Sequence, residues 1–138
     1  MTLNCRSVRN KTSDLKSILL DSKIDIVLLQ ETWLSKGDAS VYMEFKELGY
    51  KISKFERKSK KGGGLATLIK SFRCSKIQTY YQYTYNCFEN IVCSITIGKT
   101  KLLVANIYRP PSSSKSDFIV QFQDFIYKLL EHEGTIFC

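Results

Sequence analysis

Histidine is nearly absent from this chain of 138 residues, and acidic residues are outnumbered, 13 against 21 lysines and arginines. The five cysteines, at 5, 74, 87, 93 and 138, form no Cys-x-x-Cys pair and have no histidine beside them, which argues against structural zinc. Their odd number, with no charged-then-apolar leader, points to a reducing compartment, nucleus or cytoplasm, where thiols pack as small apolar groups. The longest apolar run, Ile26 to Leu29, is far too short to cross a bilayer, so no membrane partner is expected. The single histidine, His132, has no Ser, Cys or Asp at a recognisable offset and reads as a residue favouring the dipole at a helix end.

A hydrophobic content of 43% is ordinary for one globular domain. The formal charge of +8 favours polyanions such as nucleic acid. Lys51, Lys54, Arg57, Lys58, Lys60 and Lys61 read first as a solvated hairpin and second as a phosphate-backbone contact.

Strands and helices alternate. Thr12 or Ser13 is expected to cap a short helix carrying Leu15, Ile18 and Leu19, with Asp14 at its positive end. A strand runs from Ile24 to Glu31, and others are expected at Tyr50 to Phe55, Leu65 to Ile69, Ile91 to Ile97 and Leu102 to Tyr108, the last two joined by a tight turn at Gly98. Phe118, Phe122, Phe125, Ile126 and Leu129 form one face of the strongest helix, capped by Ser114 or Ser116 and stopped by Gly134. Burying them gives on the order of 10 kcal/mol of gross stabilisation, so this helix needs a sheet to cover. Thr135 then opens a further strand.

The glycines at 62, 63 and 64 lack the spacing of a phosphate-binding loop and lead into a strand, which makes them a turn with close backbone approach. Tyr80, Tyr81, Tyr83 and Tyr85 with Phe88 read as sheet-packing residues before base-stacking ones. The Ile24–Glu31 strand ends on a carboxylate, where open α/β sheets bind ligands, although an exposed strand end has the same appearance.

Four motifs occur in order: Asn4-Cys5-Arg6-Ser7, Asp25 to Leu34 with its Gln30-Glu31-Thr32-Trp33 core, Gly62 to Ala66, and Asn106-Ile107-Tyr108-Arg109-Pro110-Pro111. Together they resemble the endonuclease domain of non-LTR (LINE-type) retrotransposons, a branch of the endonuclease/exonuclease/phosphatase superfamily that includes the apurinic endonucleases and DNase I. The resemblance implies an α/β (α+β) fold, the N-terminal half of a DNase I-like four-layer sandwich with mixed sheets. It implies Mg²⁺ (or Mn²⁺) as cofactor and DNA as partner, with a reverse transcriptase domain downstream in the full polyprotein. Glu31 resembles the metal ligand, Asn4 the residue that orients it, and Tyr108 the hydroxyl that meets the scissile phosphate. Arg6 and Arg109 are candidate phosphate contacts, although Arg109 is as readily a surface ion pair.

The family continues with Gly-Asp-Phe-Asn and ends in Ser-Asp-His, and neither motif occurs in residues 1–138. The chain therefore reads as a piece truncated at its C-terminus and also at its N-terminus, inactive alone because residues that act as a unit fail together. A missing second sheet is expected to leave β-sheet and helix faces uncovered, with marginal stability and aggregation as the result. The competing readings are an inactive basic remnant with weak nucleic-acid binding and another superfamily hydrolase, a repair endonuclease or a phosphatase.

Overall fold

The computed structural model of the chain describes residues 1–56, 62–73, 76–81, 84–131 and 135–137. In chain order the elements are β1 (Thr2–Asn4), α1 (Thr12–Asp21), β2 (Ile26–Gln30), α2 (Ala39–Glu47), β3 (Tyr50–Phe55), β4 (Leu65–Lys70), β5 (Lys76–Tyr81), β6 (Glu89–Ile97), β7 (Thr100–Tyr108), α3 (Lys115–Leu130) and β8 (Thr135–Phe137). They make two four-stranded mixed sheets, ordered β1-β2-β4-β3 and β5-β6-β7-β8. β1 runs parallel to β2 and β8 parallel to β7, and the other pairs are antiparallel.

Period-two alternation decides what each strand faces. In β2, Val27 and Leu29 point toward α1 and α2, where they pack with Leu15, Leu19 and Phe45. Ile26 and Leu28 point the other way, into the space between the sheets with Leu65, Ile69, Ile91 and Ile95. On the far side of the second sheet, Val92 and Ala105 receive Phe125 and Leu129 of α3. The layers are therefore helices, sheet, sheet, helix. This corrects the expectation of a missing second sheet: β6 and β7 of a second four-stranded sheet pack on the inner face of the first, β2 is paired on both edges, and α3 has its sheet. The premise for marginal stability falls with it.

Local chemistry accounts for most boundaries. Ser114 caps α3, its hydroxyl oxygen accepting from the Asp117 amide at 3.3 Å. Gly98, at φ +59, takes the first central position of the two-residue turn that pairs Ile97 with Thr100. The cap expected for α1 is absent, because a 3-10 turn at Arg9–Lys11 runs directly into the helix and places Lys11 at the N-cap. Thr12 instead donates its hydroxyl to the Val8 carbonyl at 3.1 Å.

Tyr85 packs as expected, stacked on Phe88 at 4.6 Å with its hydroxyl donated to Asp124 at 2.7 Å. Cys5, Cys87 and Cys93 are free and buried, and burial pushes the Cys5 thiol up to about 11. Arg57, Lys58, Lys60, Lys61, Tyr83, His132 and Gly134 lie outside the described residues. Of the rest of the basic run, Lys54 pairs with Glu56 at 2.6 Å and lies over the Tyr42 ring. No helix among the described residues is long and apolar enough to cross a membrane.

α3 also carries apolar residues on its outward side, Ile119, Val120, Tyr127 and Leu130, each more than half exposed. The two faces separate stability from exposure. Phe125→Ala should cost about 3–5 kcal/mol through the cavity it leaves, whereas Tyr127→Ser should stay within about 0.5 kcal/mol. Urea midpoints at unchanged slope measure both.

Candidate active site

Asn4 is the last residue of β1, Glu31 follows the last residue of β2, and Tyr108 is the last residue of β7. The structure brings these three sequence candidates together on one atom. Asn4 Nδ2 donates to Glu31 Oε1 at 3.0 Å, and the Tyr108 hydroxyl donates to the same oxygen in a short bond from the opposite sheet. The bond from Tyr108 and then that from Asn4 hold the Glu31 carboxyl below its ordinary range, against the opposing effect of partial burial. The Arg6 guanidinium and the Trp33 indole act in the same direction. Glu31 is thus an ionised carboxylate at neutral pH, fixed from two sides.

Alternation alone would turn Glu31 away from the face that carries Asn4 and Gln30. A left-handed backbone, φ +52, breaks the alternation and swings it back. Arg6, Ser7 and Trp33 also have positive φ, at 44, 83 and 54. Such residues cost of order 1–3 kcal/mol each and persist where their surroundings over-determine them. Here the loops after β1 and β2 bond to each other, Ser7 N to Glu31 O at 2.8 Å and Val8 N to Thr32 O at 3.0 Å. The glycine loop closes over them, Gly64 O accepting from Thr32 N at 3.1 Å and Gly63 O from Trp33 N at 2.9 Å. Arg9 grips both Asp38 oxygens at 2.6 Å, tying the end of the first loop to the end of the second.

The close approach expected of the glycines is seen at Gly64. A Cβ there would lie 2.8 Å from Thr32 Oγ1 and 3.2 Å from the Phe55 carbonyl, at φ +84. The Gly64 amide donates to Glu89 Oε2 at 2.8 Å, which binds the loop to the start of β6.

The remaining candidates separate. Arg6 is exposed beside the carboxylate. Arg109 turns back on its own loop, donating to Ser113 O at 3.0 Å and lying 5.6 Å from the centre of the Phe118 ring. The motifs contain Gln30 and Asn106 without assigning them a role, and their side chains meet at 2.8 Å behind the site; Glu89 stands in none of the motifs. The signal for the first two was an amide inside an apolar strand.

No group of three or more His, Cys, Asp or Glu side chains comes together among the described residues. The donors at hand are all oxygen: the Glu31 carboxylate and, beside it, the Asn4 amide oxygen, which accepts from the Arg6 amide at 3.3 Å. That set fits a hard divalent cation, which keeps several waters and needs one or two protein carboxylates, and it does not fit zinc.

The family described as the endonuclease/exonuclease/phosphatase family matches residues 1–137. No curated protein sequence matches. Among solved structures, a humanized Danio rerio TDP2 superposes with a TM-score of 0.66 at 18% identity, over 94% of this chain and 58% of that one. An AP endonuclease from Archaeoglobus fulgidus gives 0.62 at 19% identity, over 94% and 49%. The Neisseria 3′ phosphatase NExo bound to a product DNA hairpin gives 0.61 at 17%, over 98% and 53%. The chain spans about half the length of these structures, and at such identities they show the shared DNase I-like fold.

Two outcomes test the loop architecture. Gly64→Ala should lower stability by more than about 1 kcal/mol, since it combines a left-handed backbone with a clash, and thermal unfolding measures it. The Arg9 guanidinium, with the Ser35 amide and hydroxyl, holds Asp38 well below the usual carboxylate range. A lowered folded pKa gives stability that is full above the unfolded value, about 4, and fades as pH falls below it. The urea-midpoint gap between the wild type and Asp38→Asn should therefore hold from pH 7 to 5 and shrink below pH 4.

Proposed function

This chain belongs to the endonuclease/exonuclease/phosphatase family, and from that premise we propose that it is part of a divalent-metal-dependent endonuclease that nicks target DNA for the insertion of a non-LTR retrotransposon. The observation that supports this most is the Glu31 carboxylate held at one oxygen by Asn4 and Tyr108. Glu31 and the Asn4 carboxamide would hold Mg²⁺ or Mn²⁺, which when bound supplies Lewis-acid polarisation of a phosphoryl oxygen. Asn4 fixes the direction of the carboxylate. Arg6, exposed beside it, offers a positive contact for a backbone phosphate.

Tyr108 carries one hydroxyl proton, and in this structure that proton goes to Glu31. It can pass to a phosphate oxygen only when Glu31 releases it. A cation held by Glu31 would compete for the same carboxylate charge, and the Tyr108 hydroxyl would then be placed to donate to the scissile phosphate. Arg109, bound within its own loop, is not needed for this step.

The retrotransposon assignment draws on the Asn4-Cys5-Arg6-Ser7 and Tyr108-Arg109-Pro110-Pro111 forms, with a downstream reverse transcriptase as the expected companion. A repair endonuclease or phosphatase of the same family is the second reading, since the solved structures sharing the fold include an AP endonuclease and a 3′ phosphatase. The chemistry they share with the first reading is phosphate-ester hydrolysis.

A chain extended through the expected Gly-Asp-Phe-Asn and Ser-Asp-His motifs should nick supercoiled plasmid with Mg²⁺, and chelation should stop it. Residues 1–138 alone should not nick. Glu31→Ala should abolish nicking, and Tyr108→Phe should slow it by about 100- to 1000-fold. Removal of a 3′ phosphate without plasmid nicking would select the second reading. Filter binding of DNA that does not weaken as salt rises would exclude a phosphate-contacting surface.

A further inference from the structure

We propose that Gln30 and Asn106 are positioning residues, whose amide pair fixes the separation and register of the three strand ends that carry Asn4, Glu31 and Tyr108. Their meaning for catalysis rests on the function proposed above; their effect on the geometry does not.

Gln30 Nε2 donates to Thr2 Oγ1 at 3.1 Å and to Asn106 Oδ1 at 2.8 Å. Asn106, fully buried, turns its own NH2 toward Leu29 O at 3.2 Å, Ala66 O at 3.1 Å and Thr67 Oγ1 at 3.4 Å. One connected set of amides thus links β1, β2 and β4 of the first sheet to β7 of the second. Each anchor stands just before a site residue, Thr2 two before Asn4, Gln30 one before Glu31, and Asn106 two before Tyr108. Residues two apart on a strand share a face, so Thr2 and Asn106 point to the same side as the site residues that follow them.

Stability alone does not call for amides here. The surrounding space between the sheets is filled by Leu65, Ile69, Ile91, Ile95 and Val104, and an apolar pair would extend that core without the cost of burying polar groups. Apolar contact is non-directional, however, and tolerates sliding. A hydrogen bond at 2.8 Å does not, since a shift of about 1 Å takes it outside the 2.7–3.2 Å range. The bond from Tyr108 to Glu31 has the same narrow tolerance and crosses the same interface. Locking the first locks the second.

The test reads the site without metal or substrate. The Asn4 side-chain amide signals, followed by nuclear magnetic resonance on residues 1–138, report the bond to Glu31 by their shift and slowed hydrogen exchange. Gln30→Leu should move the shift toward that of a solvated amide and speed exchange about tenfold, the loss of one charge-assisted bond. Leu19→Ala, in the core beneath α1 and away from the site, serves as a control that lowers the melting temperature; it should leave the Asn4 signals in place. Unchanged Asn4 signals in Gln30→Leu, or equal changes in Leu19→Ala, would overturn the proposal. If Gln30→Leu does not fold, Thr2→Val on exposed β1 decides, with a smaller change in the same direction expected and no change overturning it. In the extended protein Gln30→Leu should lower the nicking kcat with KM little altered. If the extended wild type does not nick, the functional reading fails while the resonance experiment still judges this one.

Discussion

One oxygen of Glu31 accepts hydrogen bonds from both sheets, from Asn4 in its own and from Tyr108 in the other. Much of the fold serves to keep those donors within reach. Sheets packed face to face stand about 10 Å apart, a distance set by the side chains between them. In this chain the filling is Leu65, Ile69, Ile91, Ile95 and Val104, with Tyr108 itself packed at the margin. Tyr108 is therefore partly a core residue and partly a site residue. A change in the filling that altered the spacing would reach the carboxylate without touching it.

Strain and its compensation are concentrated at the same end of the sandwich. Among the described residues, the four non-glycine positions with positive φ occur in two short loops, Arg6 and Ser7 after β1, Glu31 and Trp33 after β2. The loops that hold them cross-bond through main-chain groups, receive the glycine turn from above and are tied together by Arg9 and Asp38. The strain is thus carried by bonds that do not involve the side chains of Asn4, Glu31 and Tyr108. Trp33, 44% exposed on one of these loops, contacts the glycine loop through its backbone amide.

What the sequence disclosed follows from how local each signal was. The β2 strand and the apolar face of α3 were legible because period and composition are properties of a single segment. Asn4, Glu31 and Tyr108 were legible as candidates because each stands at or just past the end of a strand and in a recognisable motif. The second sheet was misjudged because two of its strands, β5 and β8, carry weak or short patterns, and pairing of β7 with β8 depends on partners distant in sequence. α2 passed unnoticed although Tyr42 and Phe45 are buried at helical spacing, since nine residues give little periodicity to read. Gln30 and Asn106 looked like ordinary polar residues in strands, because their partners lie 76 residues apart.

The charge pattern explains why a basic chain would place a doubly bonded carboxylate where the proposed function expects a polyanion. A formal charge of +8 favours polyanions in general, which gives affinity without position. Glu31 does the opposite locally: an ionised carboxylate repels a phosphate unless a cation lies between them. With two donors already directed at it, the carboxylate would lose little freedom on binding such a cation, because the ordering cost was met in folding. The same donors would make that binding consequential, because the hydroxyl hydrogen that Tyr108 directs at Glu31 is the one a phosphate would need. In the function proposed above, attraction by the surface, repulsion at the carboxylate and redirection of a single hydroxyl hydrogen bond would together make productive contact conditional on a bound cation.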